Sequence, residues 1–160
     1  MLKKILIGLL FVFIFLQFIR PTRNISDVSS SNHFSTKYNI PENVETILQK
    51  ACYDCHSNNT TYPWYTNVQP VGLWMQGHVN DGKDELNFSE FATYSPKKAR
   101  HKMEECVDMI KEGEMPLPSY TWTHKDAILT QQEKTTLTDW ASATAKKIEI
   151  DNKLGPEKKR

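Results

Sequence analysis

Cys52, Cys55 and His56 stand together in the run Cys52-Tyr53-Asp54-Cys55-His56. Two thiols three residues apart, followed at once by an imidazole, form a spacing that can hold haem covalently. On a helix, positions i and i+3 share a face, and i+4 turns the same way. Cys52 and Cys55 would then add to the two porphyrin vinyl groups as thioethers. His56 would reach the iron as the proximal axial ligand. Two other chemistries are open to the same residues. Zinc wants a second ligand pair at metal-binding spacing, and the only remaining cysteine is Cys106. A redox dithiol wants a βαβ setting and leaves the histidine idle. Haem uses all three residues.

A sixth iron ligand is expected further along, in Gly113-Glu114-Met115-Pro116-Leu117-Pro118. The prolines remove backbone donors and stiffen the loop, so that Met115 can present its thioether. His/Met ligation raises a haem's potential and leaves no open site, which suits electron transfer. His78 is the rival sixth ligand. With His78 or an open position there, and His101 or His124 as distal polar groups, the same site would suit a haem enzyme or gas sensor. No acid/base constellation accompanies the motif, which favours an electron carrier over an enzyme. Tyr120 is placed to reach a propionate.

These residues need elements to position them. The composition, 39% hydrophobic and 24% charged, suits a globular domain with a core. Val44, Ile47, Leu48, Ala51, Cys52 and Cys55 fall at helical spacing. They predict a helix from about Pro41, with Asn39 as a cap, that carries the thiols on its packed face. Residues 57–66 read as a loop whose Pro63, Trp64 and Tyr65 either wall the haem or fill the core. A carbonyl from this loop would orient His56. A second helix is expected over residues 70–86, breaking at Asp81-Gly82. Phe88 and Phe91 would pack at the haem edge or in the core. Ser95-Pro96 opens a third helix and Gly113 stops it, with Ala99, Met103, Cys106, Met109 and Ile110 as its buried stripe. Lys97 and Lys98 in its first turn oppose the helix dipole. Residues 119–129 read as a loop. Thr130-Gln131-Gln132-Glu133 is a capping box opening a last helix toward Lys147, where Leu137, Trp140, Ala141 and Thr144 share a face.

The ends differ from the middle. Residues 1–20 join Lys3 and Lys4 to an apolar run and read as an N-terminal membrane anchor or signal. No small-residue cleavage site follows, so an uncleaved hydrophobic helix is expected, with a cleaved, soluble periplasmic form as the alternative. Residues 21–38 read as a polar linker, 39–147 as the haem-binding domain and 148–160 as a polar tail. Residues 41–145 hold 9 basic and 15 acidic side chains. That balance excludes a basic nucleic-acid surface.

The run Cys52–Asn58, with Tyr62-Pro63-Trp64-Tyr65, Pro70-Val71, His78-Val79, Leu86-Asn87-Phe88-Ser89, Gly113–Pro116 and Pro118-Ser119-Tyr120, resembles the small bacterial haem-binding domain family of c-type cytochromes. The resemblance covers about two-thirds of the chain, and its layout is similar to class I cytochrome c. It implies an all-α, cytochrome c-like domain around one covalent haem c, preceded by a short hydrophobic segment. The expected function is that of an exported monohaem electron carrier. It would be held at the periplasmic side of the bacterial inner membrane and serve redox partner proteins that the sequence does not name.

Overall fold

Residues 1–26 and 28–155 are described by the computed structural model, and every regular element among them is helical. In chain order these are α1 (Leu2–Leu16), α2 (Glu42–Ala51), α3 (Tyr53–His56), α4 (Val71–Glu85), α5 (Pro96–Glu112), α6 (Pro118–Thr121) and α7 (Gln131–Asp151). Single 3-10 turns fill some of the connections. The all-α expectation holds.

α5 and α7 pack along one another. α5 begins where Ser95 Oγ accepts the Lys98 amide and Pro96 takes the first helical position. It ends at Gly113, whose φ of +76° lies in the left-handed region where a Cβ is strained. α7 opens with Thr130 and Glu133 exchanging hydrogen bonds. Ala99, Met103, Val107 and Ile110 of α5 and Leu137, Ala141, Ala145 and Ile148 of α7 are buried. The Lys98 ammonium sits 4.0 Å above the Tyr94 ring. That cation–π contact gives this charge a partner despite the helix dipole.

The structure corrects several expectations. Asn39 caps nothing: Pro41 occupies the N-cap of α2, and the Asn39 carbonyl accepts the Trp140 indole N–H. α4 passes through Gly82 to Glu85. Residues 119–129 contain α6 and a 3-10 turn over Lys125–Ala127. The last helix continues past Lys147 to Asp151, and Ile148 is fully buried, so the polar tail does not begin at 148. Leu154 packs against the core and the Gly155 carbonyl accepts Arg100. The rest of the tail, 156–160, lies outside the described residues.

The expected linker is part of the domain. Phe34 is 0% exposed, with Tyr38, Phe88, Phe91 and Trp140 rings at 4.6–5.8 Å. The Asn24 amide bonds Ser57 and Thr60. Phe34 and Tyr38 are isolated aromatics in a polar stretch, too few to set a periodicity, so their burial had little local signal.

α1 is apolar and exposed along nearly its whole length. At 15 residues it is about 22 Å long, against a hydrocarbon core of about 30 Å. No helix among the described residues is long and apolar enough to cross a membrane.

Phe34→Ala separates a core role from a linker role. Chemical denaturation is expected to show a loss of about 3–5 kcal/mol, as for other buried phenylalanines. A loss within about 0.5 kcal/mol would return the segment to a surface role.

Candidate functional site

α2 does not run unbroken through the cysteines. Cys52 leaves helical geometry (φ −127°, ψ −46°) and separates α2 from α3. Its carbonyl then accepts the amides of both Cys55 (3.2 Å) and His56 (2.9 Å). This tight turn carries all three motif residues. α4 crosses directly over it: a Cβ on Gly82 would lie 2.8 Å from the Cys55 carbonyl oxygen. Gly82 is therefore a close-packing residue rather than the helix break expected from the sequence.

His56 is held from behind. Its Nδ1 lies 2.9 Å from the carbonyl oxygen of Leu86, the residue just beyond α4. With the proton on Nδ1, Nε2 is left with a free lone pair. The orienting carbonyl comes from Leu86 and not from the 57–66 loop. Burial lowers the imidazole pKa below its ordinary value and outweighs the Leu86 contact, which favours the cation. The net shift favours the neutral imidazole.

Two cavities of about 250 and 240 Å³ flank this turn, and Cys52, His56, Glu85, Met115 and Pro116 line both. The first is walled mainly by apolar groups, including Leu48, Phe88, Ile110, Leu137 and Trp140, together with Cys106 and Met109. The second adds Asp54, Cys55, His78, Asp81 and Tyr120. Met115 reaches this position because of Gly113. Beyond that left-handed residue the amides of Glu114 and Met115 both bond back to the Met109 carbonyl, at 3.0 and 3.2 Å.

The thiols are protonated. Burial pushes Cys52 and Cys106 up to about 12 and Cys55 up to about 11. Such groups are poor thiolate nucleophiles. All three cysteines are free, and no cluster of three or more His, Cys, Asp or Glu among the described residues could hold a metal ion. Cys106 is half-buried: it packs against the core, as expected, and also lines the first cavity. Met109 also lines that wall rather than the core.

The other sequence candidates divide. His78 lines the second cavity; its Nε2 is buried without a hydrogen-bond partner, and Trp74 lies edge-on to its ring at 4.6 Å. His101 is exposed beside Glu105, and His124 stacks on Tyr120 at 4.1 Å. Neither is among the residues lining these two cavities. Tyr120 donates to Asp54 at 2.8 Å and is not free for a propionate. It thereby ties the segment after Met115 to the middle of the cysteine turn. Trp64 is 78% exposed, so it neither walls the site nor fills the core. Tyr65 instead donates to Thr123.

Sequence reasoning missed the charged rim of the first cavity. Lys102 bonds Glu85 at 2.8 Å and Glu105 at 2.6 Å. Burial opposes the Lys102 charge, but the two carboxylates together leave its pKa raised. The Lys102/Glu105 spacing is an ordinary surface pair on a helix, and only the fold brings Glu85 to it.

A small helical domain with an apolar crevice, paired thiols and an imidazole with one free nitrogen is built to receive a flat apolar cofactor with a metal at its centre. The chain belongs to the haem-binding domain family, whose model matches residues 11–143. Comparison with curated proteins and with solved structures returned no match. The donor set fits the family's cofactor: the Leu86 carbonyl takes Nδ1 of His56, the two thiols are protonated and three residues apart, and the walls are mainly apolar.

Two substitutions probe this construction. Gly82→Ala should push α4 off the Cys55 backbone and cost about 1–3 kcal/mol in denaturant unfolding. A neutral outcome would show that α4 does not clamp the turn. Tyr120→Phe should cost about 1.5 kcal/mol, the worth of a hydrogen bond to a charged group. A double-mutant cycle with Asp54→Asn should show strong coupling, and additive effects would remove the Asp54–Tyr120 tie.

Proposed function

We propose that this haem-binding domain is a monohaem c-type cytochrome acting as an exported, membrane-tethered one-electron carrier. In this reading Cys52 and Cys55 would hold the haem as thioethers, and His56 and Met115 would ligate its iron. The observation that carries it is His56. Its Nδ1 is committed to the Leu86 carbonyl, which leaves Nε2 as the nitrogen available to iron. Met115 lines the same two cavities.

When bound, the haem supplies reversible one-electron chemistry at iron. The chain does the rest. Leu48, Ile110, Leu137 and Trp140 keep water from the crevice. The Gly113 turn holds the Met115 loop against α5, and the Asp54–Tyr120 bond anchors α6 just beyond that loop. α1 would tether the domain at the periplasmic side of the bacterial inner membrane. Its partners there would be redox proteins rather than nucleic acid. Tethering by an uncleaved α1 is favoured by its exposed apolar surface and by the bonds that join its end to the domain.

One observation favours a second reading. The buried Nε2 of His78 has no partner in the second cavity. If His78 takes the sixth site, or stands over an open one, the protein would be a haem enzyme or sensor.

Optical spectra of the full chain, produced with a c-type maturation system, decide between them. The carrier should show sharp reduced bands and a near-infrared sulfur-to-iron band. Met115→Ala should abolish that band and lower the midpoint potential, while His78→Ala should leave both in place. The reverse pattern would transfer the sixth ligand to His78. A mass spectrum of the mature chain without a haem adduct would overturn covalent attachment.

A further inference from the structure

One apolar surface outside the crevice is largely open. Trp64 is 78% exposed and Trp74 is 50% exposed, with Val68 and Val71 between them also open. They lie on the 3-10 turn Trp64–Asn67 and the first turn of α4. This corner is bonded to the end of α1. The Gln17 amide donates to the Gln69 carbonyl, and the Gln69 amide returns a bond to Gln17, both at 3.0 Å. Gln69 also reaches the Ile19 carbonyl. Arg20 and Arg23 both bond Asn67. The exposed side chains of Phe18 and Ile19 continue the apolar surface of α1 to the same place.

We infer that the Trp64–Trp74 corner is a lipid-docking surface that seats the domain in the headgroup–acyl interface of a phospholipid bilayer. The inference rests on the tethered reading of α1 and specifies its geometry. At 15 residues α1 is about 22 Å long, well short of a hydrocarbon core of about 30 Å. A short span draws the groups that come after it down to the interface. Those groups here are two open tryptophans, the side chains most suited to that layer, and two arginines able to meet phosphates. A flexible linker would let the domain escape this pull, but the bonds of Gln17, Ile19 and Arg20 to residues 67–69 do not. Docking would also fix the orientation of the site. Trp74 lies one turn from His78 on α4 and touches its ring edge-on, so the seated corner adjoins the wall of the second cavity.

The test uses the full haem-loaded chain, reduced, in nanodiscs of phosphatidylcholine and phosphatidylglycerol that carry a headgroup nitroxide lipid. Indole N–H resonances are assigned with Trp64→Phe and Trp74→Phe. Trp64 and Trp74 should lose most of their intensity. Trp140, whose indole is bonded to the Asn39 carbonyl, should keep its own. If the chain travels with the discs while Trp64 and Trp74 stay sharp, the docking surface is wrong and the tether stands. Sharp signals that shift with protein concentration would assign the corner to a second copy and overturn the proposal. A chain that does not travel with lipid at all overturns the tether and the docking together.

Discussion

The grip of residues 86–88 on His56 is the constraint on which the rest of the architecture depends. Leu86 leaves α4 in extended geometry (φ −145°, ψ 126°). Its carbonyl takes the His56 ring at Nδ1, and two residues later the Phe88 amide bonds the His56 carbonyl at 2.8 Å. The Phe88 carbonyl in turn accepts the Phe34 amide at 2.8 Å. One short segment therefore fixes both the backbone and the ring of His56, and passes the constraint to the aromatic core. An imidazole held only by its own χ angles would sample several rotamers and both tautomers. Held at two points, it presents one nitrogen in one direction.

That grip requires a polar buttress, because an irregular segment this close to the core has backbone groups to satisfy. Asn58 donates to Glu90 through its side chain, and its amide bonds Ser89 Oγ. Asn87 donates to Asn58 and accepts the Ser89 amide. Glu90 also takes Asn32 and Ser30, and these donors, Asn32 foremost, hold its carboxyl below the usual range. A network with most members paired is rigid, whereas one missing partner leaves a costly orphan. Here lies a physical reason for the residues after the cysteine turn and for the Asn87-Phe88-Ser89 run. Apart from Phe88, which also walls the first cavity, they hold His56 from outside the crevice.

How much of the fold the sequence disclosed depends on the range of the forces involved. Ser95, Gly113, Thr130 and Glu133 act within one helical turn, and their roles read directly from spacing. The stripes of α5 and α7 were legible in part: Ala99, Met103, Ile110, Leu137, Ala141 and Thr144 are buried as their spacing implies, whereas Val107, Ala145 and Ile148 were missed. The clustering of Cys52, Cys55 and His56 was legible as a pattern. The pressure of Gly82 and the Leu86 carbonyl were not, since both depend on the end of α4 crossing a turn roughly 30 residues earlier in the chain. Gly82 looked like punctuation because a glycine used for close approach and one used to end a helix are the same letter. Phe34 and Trp64 exchange expectations for a related reason. Burial of a lone aromatic is decided by what folds over it, and Phe34 is covered while Trp64 is not.

The electrostatics of the crevice bear on how a bound haem would behave. Its lining is a neutral donor set: an imidazole with a lowered pKa, thioether and thiol sulfur, and hydrocarbon. A low-dielectric lining of this kind disfavours the more charged state of an enclosed redox centre, which is the oxidised one at iron. Glu85 and Glu105 at the rim pull the other way. Lys102, bonded to both, cancels part of their charge and keeps it from reaching the cavity unopposed. Desolvation and the rim thus oppose one another, and a pair of carboxylates sharing one ammonium leaves about one net negative charge at the mouth. In the proposed carrier the apolar wall would favour the reduced form and the charged rim would oppose it, the rim's share being the one that salt screens.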